Sequence, residues 1–368
     1  MRVKNTELLR GIGIILILLN HYLGLISKNR PSSVHLIKVL QYMGGDLGVT
    51  LFFFMSGFGV FLSLYNMEKR NELSFKTHMK KRLIRILPDY YVALFGIILI
   101  SVIAKLKKEL SFRAELTHVV LIHNIFPSTA QTISGPLWTM GVIVQFYVVA
   151  VILYKGVNRF KGWFVAESIL FTYIGKYIAC FRIMPYLEGQ PLWLFFWGNR
   201  NLFTSVLDEF VIGMFFAYLI VRRANRQEKV EQKWYLGALF IVASVVALYA
   251  WSNIGFRIGL ALGRPFGYVF HTVLALLMGV IVYFLSELEI SERNLINRAL
   301  SFVGKYEYTI YLWHYVLAEA LINRCIIVRE LCEYSGLLAH IILFAITVLC
   351  SVLIQKLINF GRLLVDNL

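Results

Sequence analysis

Apolar residues in this chain neither alternate with polar ones at the period of a half-buried strand nor gather on one stripe of each helix. They come in repeated runs of about twenty residues, the length an α-helix needs to cross a bilayer. Ten runs can be marked, at approximately 8–27, 47–65, 89–106, 137–154, 163–181, 203–221, 234–252, 265–286, 307–325 and 336–357. The expected fold is therefore an all-α integral membrane protein. About ten transmembrane helices form one bundle, a single domain over 1–368 with no appended soluble domain. The first, second, ninth and tenth runs are the sharpest. The fifth is less regular, and Pro185, Pro191, Trp193 and Trp197 also suit an interfacial or re-entrant segment over 186–202. Pro88 is expected to mark a break before the third span.

Composition agrees with that class. The chain is 58% hydrophobic and 16% charged, with a mean hydropathy of +0.68. Its net charge of +16 looks at first like a nucleic-acid signal. The distribution argues otherwise. With ten spans, 14 of the 37 lysines and arginines fall on the side opposite the termini, and the remaining 23 fall with them. By the positive-inside rule both termini face the cytoplasm. The clusters around Lys80-Lys81-Arg82 and Arg222-Arg223 then face the cytosol, where anionic lipid heads or a phosphorylated ligand would meet them. No interleaved aromatic and basic platform and no zinc spacing is present, so neither a nucleic-acid partner nor a metal is expected. The first run carries Arg10 and His21 and lacks a small-residue cleavage site, unlike a signal peptide. Four scattered cysteines, Cys180, Cys325, Cys332 and Cys350, make no disulfide framework.

The chemistry begins in that first run. Arg10 and His21 bracket a segment of aliphatics, glycines and one asparagine. Eleven positions make close to three helical turns, so both side chains point to nearly the same face, roughly 16 Å apart along the axis. Ionisable groups inside a membrane are costly and commonly face a cavity. The plainer alternative is an anchoring arginine and a histidine satisfied by another helix. Arg82 and Arg85, three apart, share a face if their stretch is helical, and paired guanidiniums suit phosphate. The plainer alternative for them is a topology signal. Ser56, Gly57 and Gly59 would let a neighbouring helix approach the second span closely. His118, His123 and Asn124 in the long 104–136 connection are candidate contacts for a polar substrate. So are Asp46, at the end of the first outer loop, Trp138, at the start of the fourth span, and His314, near the middle of the ninth.

Taken together, these segments resemble the acyltransferase family 3 membrane proteins, which acylate surface glycans and related molecules. The family's arginine, ten intervening residues and histidine are matched by Arg10 and His21, and its Arg-x-x-Arg by Arg82 and Arg85. Phe53-Phe54-Met55-Ser56-Gly57-Phe58 stands for its aromatic-Ser-Gly-Phe element. Leu137-Trp138, Phe146-Tyr147 and Tyr311-Leu312-Trp313-His314 follow in the family's order. Two departures stand out. Many members carry Glu-Glu before Gln-Phe-Tyr, where this chain has Ile143-Val144, and many carry Asp where Thr50 stands. An acidic partner for His21 is therefore not expected at those positions.

The resemblance implies transfer of an acyl group, acetyl the first candidate, from a cytosolic acyl-coenzyme A to a hydroxyl of a cell-surface or exported polysaccharide or glycolipid. It implies no tightly bound cofactor, with acetyl-CoA or another acyl-CoA as donor substrate, and a multi-pass place in a bacterial cell membrane. His21 is the expected base, with Arg10 in the catalytic set and Asn20 or Trp138 as neighbours. Arg82 and Arg85 are expected to hold the donor. Two other classes also fit a ten-span chain. A secondary transporter or flippase of a sugar-linked substrate should show inverted repeats or paired broken helices, and none is visible. A non-catalytic partner in an envelope assembly complex would keep the fold and tolerate loss of His21.

Overall fold

Long apolar runs with few helix breakers can satisfy their backbone in lipid only as helices, and every run in this chain takes that form. The computed structural model describes residues 3–27, 35–106, 108, 110–226, 234–261, 266–286, 288 and 294–366. Among them there is no strand. The helices are α1 (Thr6–Ser27), α2 (His35–Lys69), α3 (Phe75–Ile103), α4 (Phe112–Val119), α5 (Trp138–Phe160), α6 (Gly162–Tyr177) and α7 (Pro191–Phe196). They continue as α8 (Leu207–Asn225), α9 (Trp234–Ala261), α10 (Phe266–Leu285), α11 (Leu295–Lys305), α12 (Glu307–Arg324), α13 (Ile326–Tyr334) and α14 (Gly336–Asp366).

Among the described residues six helical segments are long and apolar enough to cross a membrane: Thr6–Ile26, Gly44–Lys69, Phe75–Ile103, Gly135–Phe160, Gly162–Tyr186 and Gly336–Arg362. They coincide with the first five expected spans and the tenth. The other four expected spans fall on α8, α9, α10 and α12. Of these, α9 and α10 hold shorter described apolar stretches, Gly237–Trp251 and Val269–Leu285. The remaining two carry more charge, with Asp208, Glu209, Arg222 and Arg223 on α8 and Glu307, Glu319 and Arg324 on α12. The outward faces of the long helices are apolar, as lipid contact requires: Phe95 and Ile103 on α3, Ile152 on α5, Leu170 on α6 and Leu349 on α14 are all exposed.

The break expected at Pro88 does not occur. Helix α3 begins at Phe75 behind an N-cap in which the Ser74 hydroxyl accepts from the Thr77 amide, and it runs through Pro88 to Ile103. Proline removes the bond to the carbonyl four residues back, that of Ile84. Ile84 sits on an exposed face, so that carbonyl is not stranded in the interior, and packing on the opposite face at Ile86, Asp89, Tyr90 and Ala93 carries the helix through. The basic stretch Lys80-Lys81-Arg82 through Arg85 thus lies within a helix. The region 178–201 bears out the irregularity read there, with π-helical turns at Ile178–Ile183 and Trp197–Asn201 around the short α7.

Among the described residues two large apolar clusters, with a small third around Phe270 and Leu274, form the interior. One gathers the aromatic face of α2 against α5 and α8, with Phe146 stacked on Phe210 at 4.2 Å and edge-on to Phe53 at 5.9 Å. The close approach of α2 and α8 depends on Gly57 and Gly213. A Cβ on Gly57 would drive into the Phe210 carbonyl, and one on Gly213 into the Phe54 carbonyl. The second cluster joins α1, α12 and α14 through Ile14, Ile17, Leu18, Tyr22, Ile310 and Leu343. The space left between the clusters holds the polar side chains described next.

Candidate functional site

Helices α1 and α12 pack against each other and are bridged by two polar contacts. Arg10 on α1 pairs with Glu307, the first residue of α12, at 3.4 Å. Further along both helices, His21 Nδ1 lies 2.7 Å from His314 Nε2. The two imidazoles meet edge to edge, with ring centres 5.0 Å apart and planes 12° from parallel. On its other side His314 Nδ1 is 2.6 Å from the Tyr311 carbonyl, one helical turn back. His314 is fully buried, whereas His21 is half-buried and meets the edge of Tyr315 at 5.5 Å.

A cleft opens on the Arg10 side of this pair. Arg10, Ser56, Gly59, Arg82, Arg85, Tyr147 and Glu307 supply its polar and small positions, and Phe52, Met55, Ile86, Met140, Ile143 and Tyr308 its apolar wall. The unbroken α3 helix is what brings Arg82 and Arg85 here together. Arg82 is buried, with its guanidinium 5.3 Å over the Tyr147 ring and Nη2 donating to the Gly59 carbonyl at 3.4 Å. Arg85 is exposed. Gly59 leaves room for Arg10, whose Nη2 would lie 3.3 Å from a Cβ at that position. Three guanidiniums thus face one lining carboxylate, Glu307. Asp89, one turn beyond Arg85, is taken by Arg362 of α14. The cleft holds surplus positive charge on planar donor forks, the chemistry that recognises phosphate. Phe52 lies between cleft and imidazoles, stacked on Tyr311 at 5.3 Å.

A family model described as an acyltransferase domain matches residues 3–356. This chain belongs to that family. It is a multi-span membrane acyltransferase, with Arg10, Arg82 and Arg85 brought to one cleft and the imidazole pair beyond Phe52. No curated protein and no solved structure matches the chain.

The acyltransferase places its other sequence-predicted residues elsewhere. Trp138 is buried against Phe53 at 5.8 Å and Phe196 at 6.2 Å. Asp46 accepts from His271 Nε2 at 2.9 Å, within a buried network. In that network Arg200 pairs with Glu209, Thr272 donates to Asp208 at 2.5 Å, and Lys176 is fully buried. Asn20 lies against Gly45, the residue before Asp46. The loop residues His118, His123 and Asn124 are not open to a substrate. All three are buried, with the histidine rings stacked at 3.9 Å. His118 Nδ1 donates to the Ala114 carbonyl and His123 Nε2 to the Leu137 carbonyl, while Asn124 donates to the Asn201 carbonyl. Burial pulls His118 down to about 4 and His123 down to about 3, so both are neutral and serve to pin the connection. Among the described residues no cluster of His, Cys, Asp or Glu is placed to hold a metal, and none of the four cysteines is in a disulfide.

Three contributors were not visible in the sequence: Glu307 as partner of Arg10, Tyr147 under Arg82, and His314 as partner of His21. Glu307 and His314 are seven residues apart, two turns on one face of α12. That spacing echoes Arg10 and His21 on α1 and was the available signal. Pairing the two helices needs the fold.

Proposed function

We propose that this acyltransferase moves an acyl group, acetyl the first candidate, from a cytosolic acyl-coenzyme A to a hydroxyl of a cell-surface or exported polysaccharide or glycolipid. The observation that carries the reading is the convergence of Arg10, Arg82 and Arg85 on one cleft with Glu307 as its lining carboxylate. Such a surplus suits the phosphates of coenzyme A. With both termini cytoplasmic, as the lysine and arginine bias indicates, the cleft opens to the compartment where that donor is made.

Distance narrows the donor class. Arg10 and His21 are separated by roughly 16 Å along α1. A small acyl phosphate anchored at the arginines would leave its carbonyl far from the imidazole. A carrier with a long arm between phosphate and thioester spans the gap. In the proposed reaction His21 accepts the proton of the acceptor hydroxyl, whose oxygen attacks the thioester carbonyl. The carbon–sulfur bond breaks, the ester forms, and the thiolate leaves with the proton that His21 took. The products are one ester and one free coenzyme A thiol. Asp46 and Trp138 are proposed to contribute to the acceptor side, and the protein to reside as a single multi-pass domain in a bacterial cell membrane.

The test is incubation of purified protein with [14C]acetyl-coenzyme A and an envelope glycan fraction. Label is expected in an alkali-labile ester on the glycan, and not when His21→Ala replaces the wild type. Well-folded protein that moves the glycan across vesicle membranes without acylating it would overturn the reading in favour of transport.

A further inference from the structure

The contacts around His21 fix where its proton sits. A backbone carbonyl can only accept a hydrogen bond. His314 Nδ1, 2.6 Å from the Tyr311 carbonyl, must therefore carry a hydrogen. A neutral imidazole has one N–H, so His314 Nε2 is bare and presents a lone pair. His21 Nδ1 stands 2.7 Å from that lone pair and must be the donor. The remaining nitrogen of His21, Nε2, is then the bare one.

We propose that His314 is a positioning residue that holds His21 in the tautomer whose Nε2 is free to take the acceptor's proton, and that shares the charge once the proton has arrived. When His21 Nε2 binds that proton, His21 carries hydrogens on both nitrogens. Its Nδ1 hydrogen bonds to, or passes to, His314 Nε2, while the Tyr311 carbonyl still accepts from His314 Nδ1. The positive charge is spread over two hydrogen-bonded rings and one carbonyl with no carboxylate involved. Orienting partners of this kind fix both ring direction and tautomer, a task acidic side chains perform in many sites. Here the segment that precedes Gln145-Phe146-Tyr147 is apolar, Ile143-Val144, and Thr50 is buried with its hydroxyl unpartnered among the described residues. Within this fold, the second imidazole does the orienting.

The catalytic part of this inference rests on the acyl-transfer reading, so its test has two arms. The first needs no turnover. Protein labelled with 15N-histidine in lipid is studied by solid-state NMR, with the His21 signals assigned by their loss in His21→Gln. The wild type should show a protonated His21 Nδ1 and a bare Nε2, and His314→Leu should give a mixture of tautomers. A proton on His21 Nε2 in the wild type, or the same tautomer ratio in wild type and His314→Leu, would overturn the proposal. The second arm compares kinetics. His314→Leu should lower kcat about a hundredfold while leaving the KM for acetyl-coenzyme A unchanged. His314→Gln, whose amide oxygen can accept from His21 Nδ1, should recover part of the loss. Equal kcat in wild type and His314→Leu would contradict the positioning role. If the proton placement is as stated but no acceptor is acylated, the tautomer assignment stands and the acyl-transfer reading fails.

Discussion

Among the described residues, two groups of charged side chains in the interior are organised in opposite ways. In the network between α2, α6, α8 and α10, every charge has an opposite charge or a hydroxyl to meet. Arg200 faces Glu209, Asp46 faces His271, and Asp208 takes the Thr272 hydroxyl, with Lys176 buried among them. Arg200 and Glu209 are 2% and 0% exposed, which only a closed pair tolerates. In the cleft between α1, α3 and α12, three guanidiniums share one lining carboxylate, and Arg85 remains exposed. Charge that closes on itself holds helices together. Charge left over is available to a ligand. If the cleft binds the donor, that difference separates structural from functional ionisable residues where residue type does not.

If the two regions have those roles, substitutions should divide into losses of rate and losses of stability. The largest effect is expected at His21, beyond the open cleft. His21→Ala should cut acyl transfer by about a hundred- to ten-thousandfold, measured with labelled donor, with insertion and thermal unfolding unchanged. His21→Gln, which cannot titrate, should fall as far. Next comes the closed network. Glu209→Gln leaves Arg200 buried against a neutral partner, a loss of about 3–5 kcal/mol in stability that thermal unfolding in detergent would detect. Protein that stays folded should keep its KM for the donor. A Glu209→Gln variant of normal stability with lost donor affinity would erase the distinction between the regions.

A smaller effect sharpens the cleft itself. Arg82→Lys keeps a positive charge but loses the planar fork and the stacking over Tyr147. It should raise the KM for acetyl-coenzyme A about tenfold, in line with the ~1.5 kcal/mol of a charged hydrogen bond, with little change in stability. If Arg82→Lys and Arg85→Lys are both fully active at low donor concentration, the pair is only a topology signal. The mildest test concerns the loop histidines. Burial holds His118 and His123 below the 6.5 of free imidazole, so the folded loop binds fewer protons than the unfolded one. Their contribution is complete above about pH 6.5 and is lost as pH falls towards 4 and then 3. By pH 5.5 the loss is on the order of 1 kcal/mol per histidine. Hydrogen-exchange protection over residues 112–134, taken relative to the intrinsic rate at each pH, should therefore fall below that pH in the wild type, and less so in His118→Gln.

Much of this was legible from the residues because a membrane narrows the choices. Apolar runs of span length have to be helices, and Arg10 and His21 have to share a face at their spacing. The Arg82 and Arg85 pair was equally plain once their stretch was helical. What sequence could not reach depended on contacts between elements far apart in the chain. Pro88 reads locally as a break, and only the packed face of α3 overrides it. Asp46 looks like a free carboxylate at a loop end until His271 meets it from another helix 225 positions away. His118 and His123 look solvated because nothing local shows that the connection folds over them. His314 reads as a lone aromatic-helix histidine until α12 is laid beside α1.

Binding of the donor's phosphate end in the open cleft is tested most simply by direct measurement. The affinity of purified protein for coenzyme A would be measured by calorimetry against pantetheine, which lacks the phosphates, over a range of salt concentrations. The account predicts that coenzyme A binds much more tightly than pantetheine. It also predicts that this advantage shrinks as salt rises and largely disappears in the Arg82→Lys, Arg85→Lys double variant. Equal affinity for coenzyme A and pantetheine, or an advantage indifferent to both arginines, would contradict it.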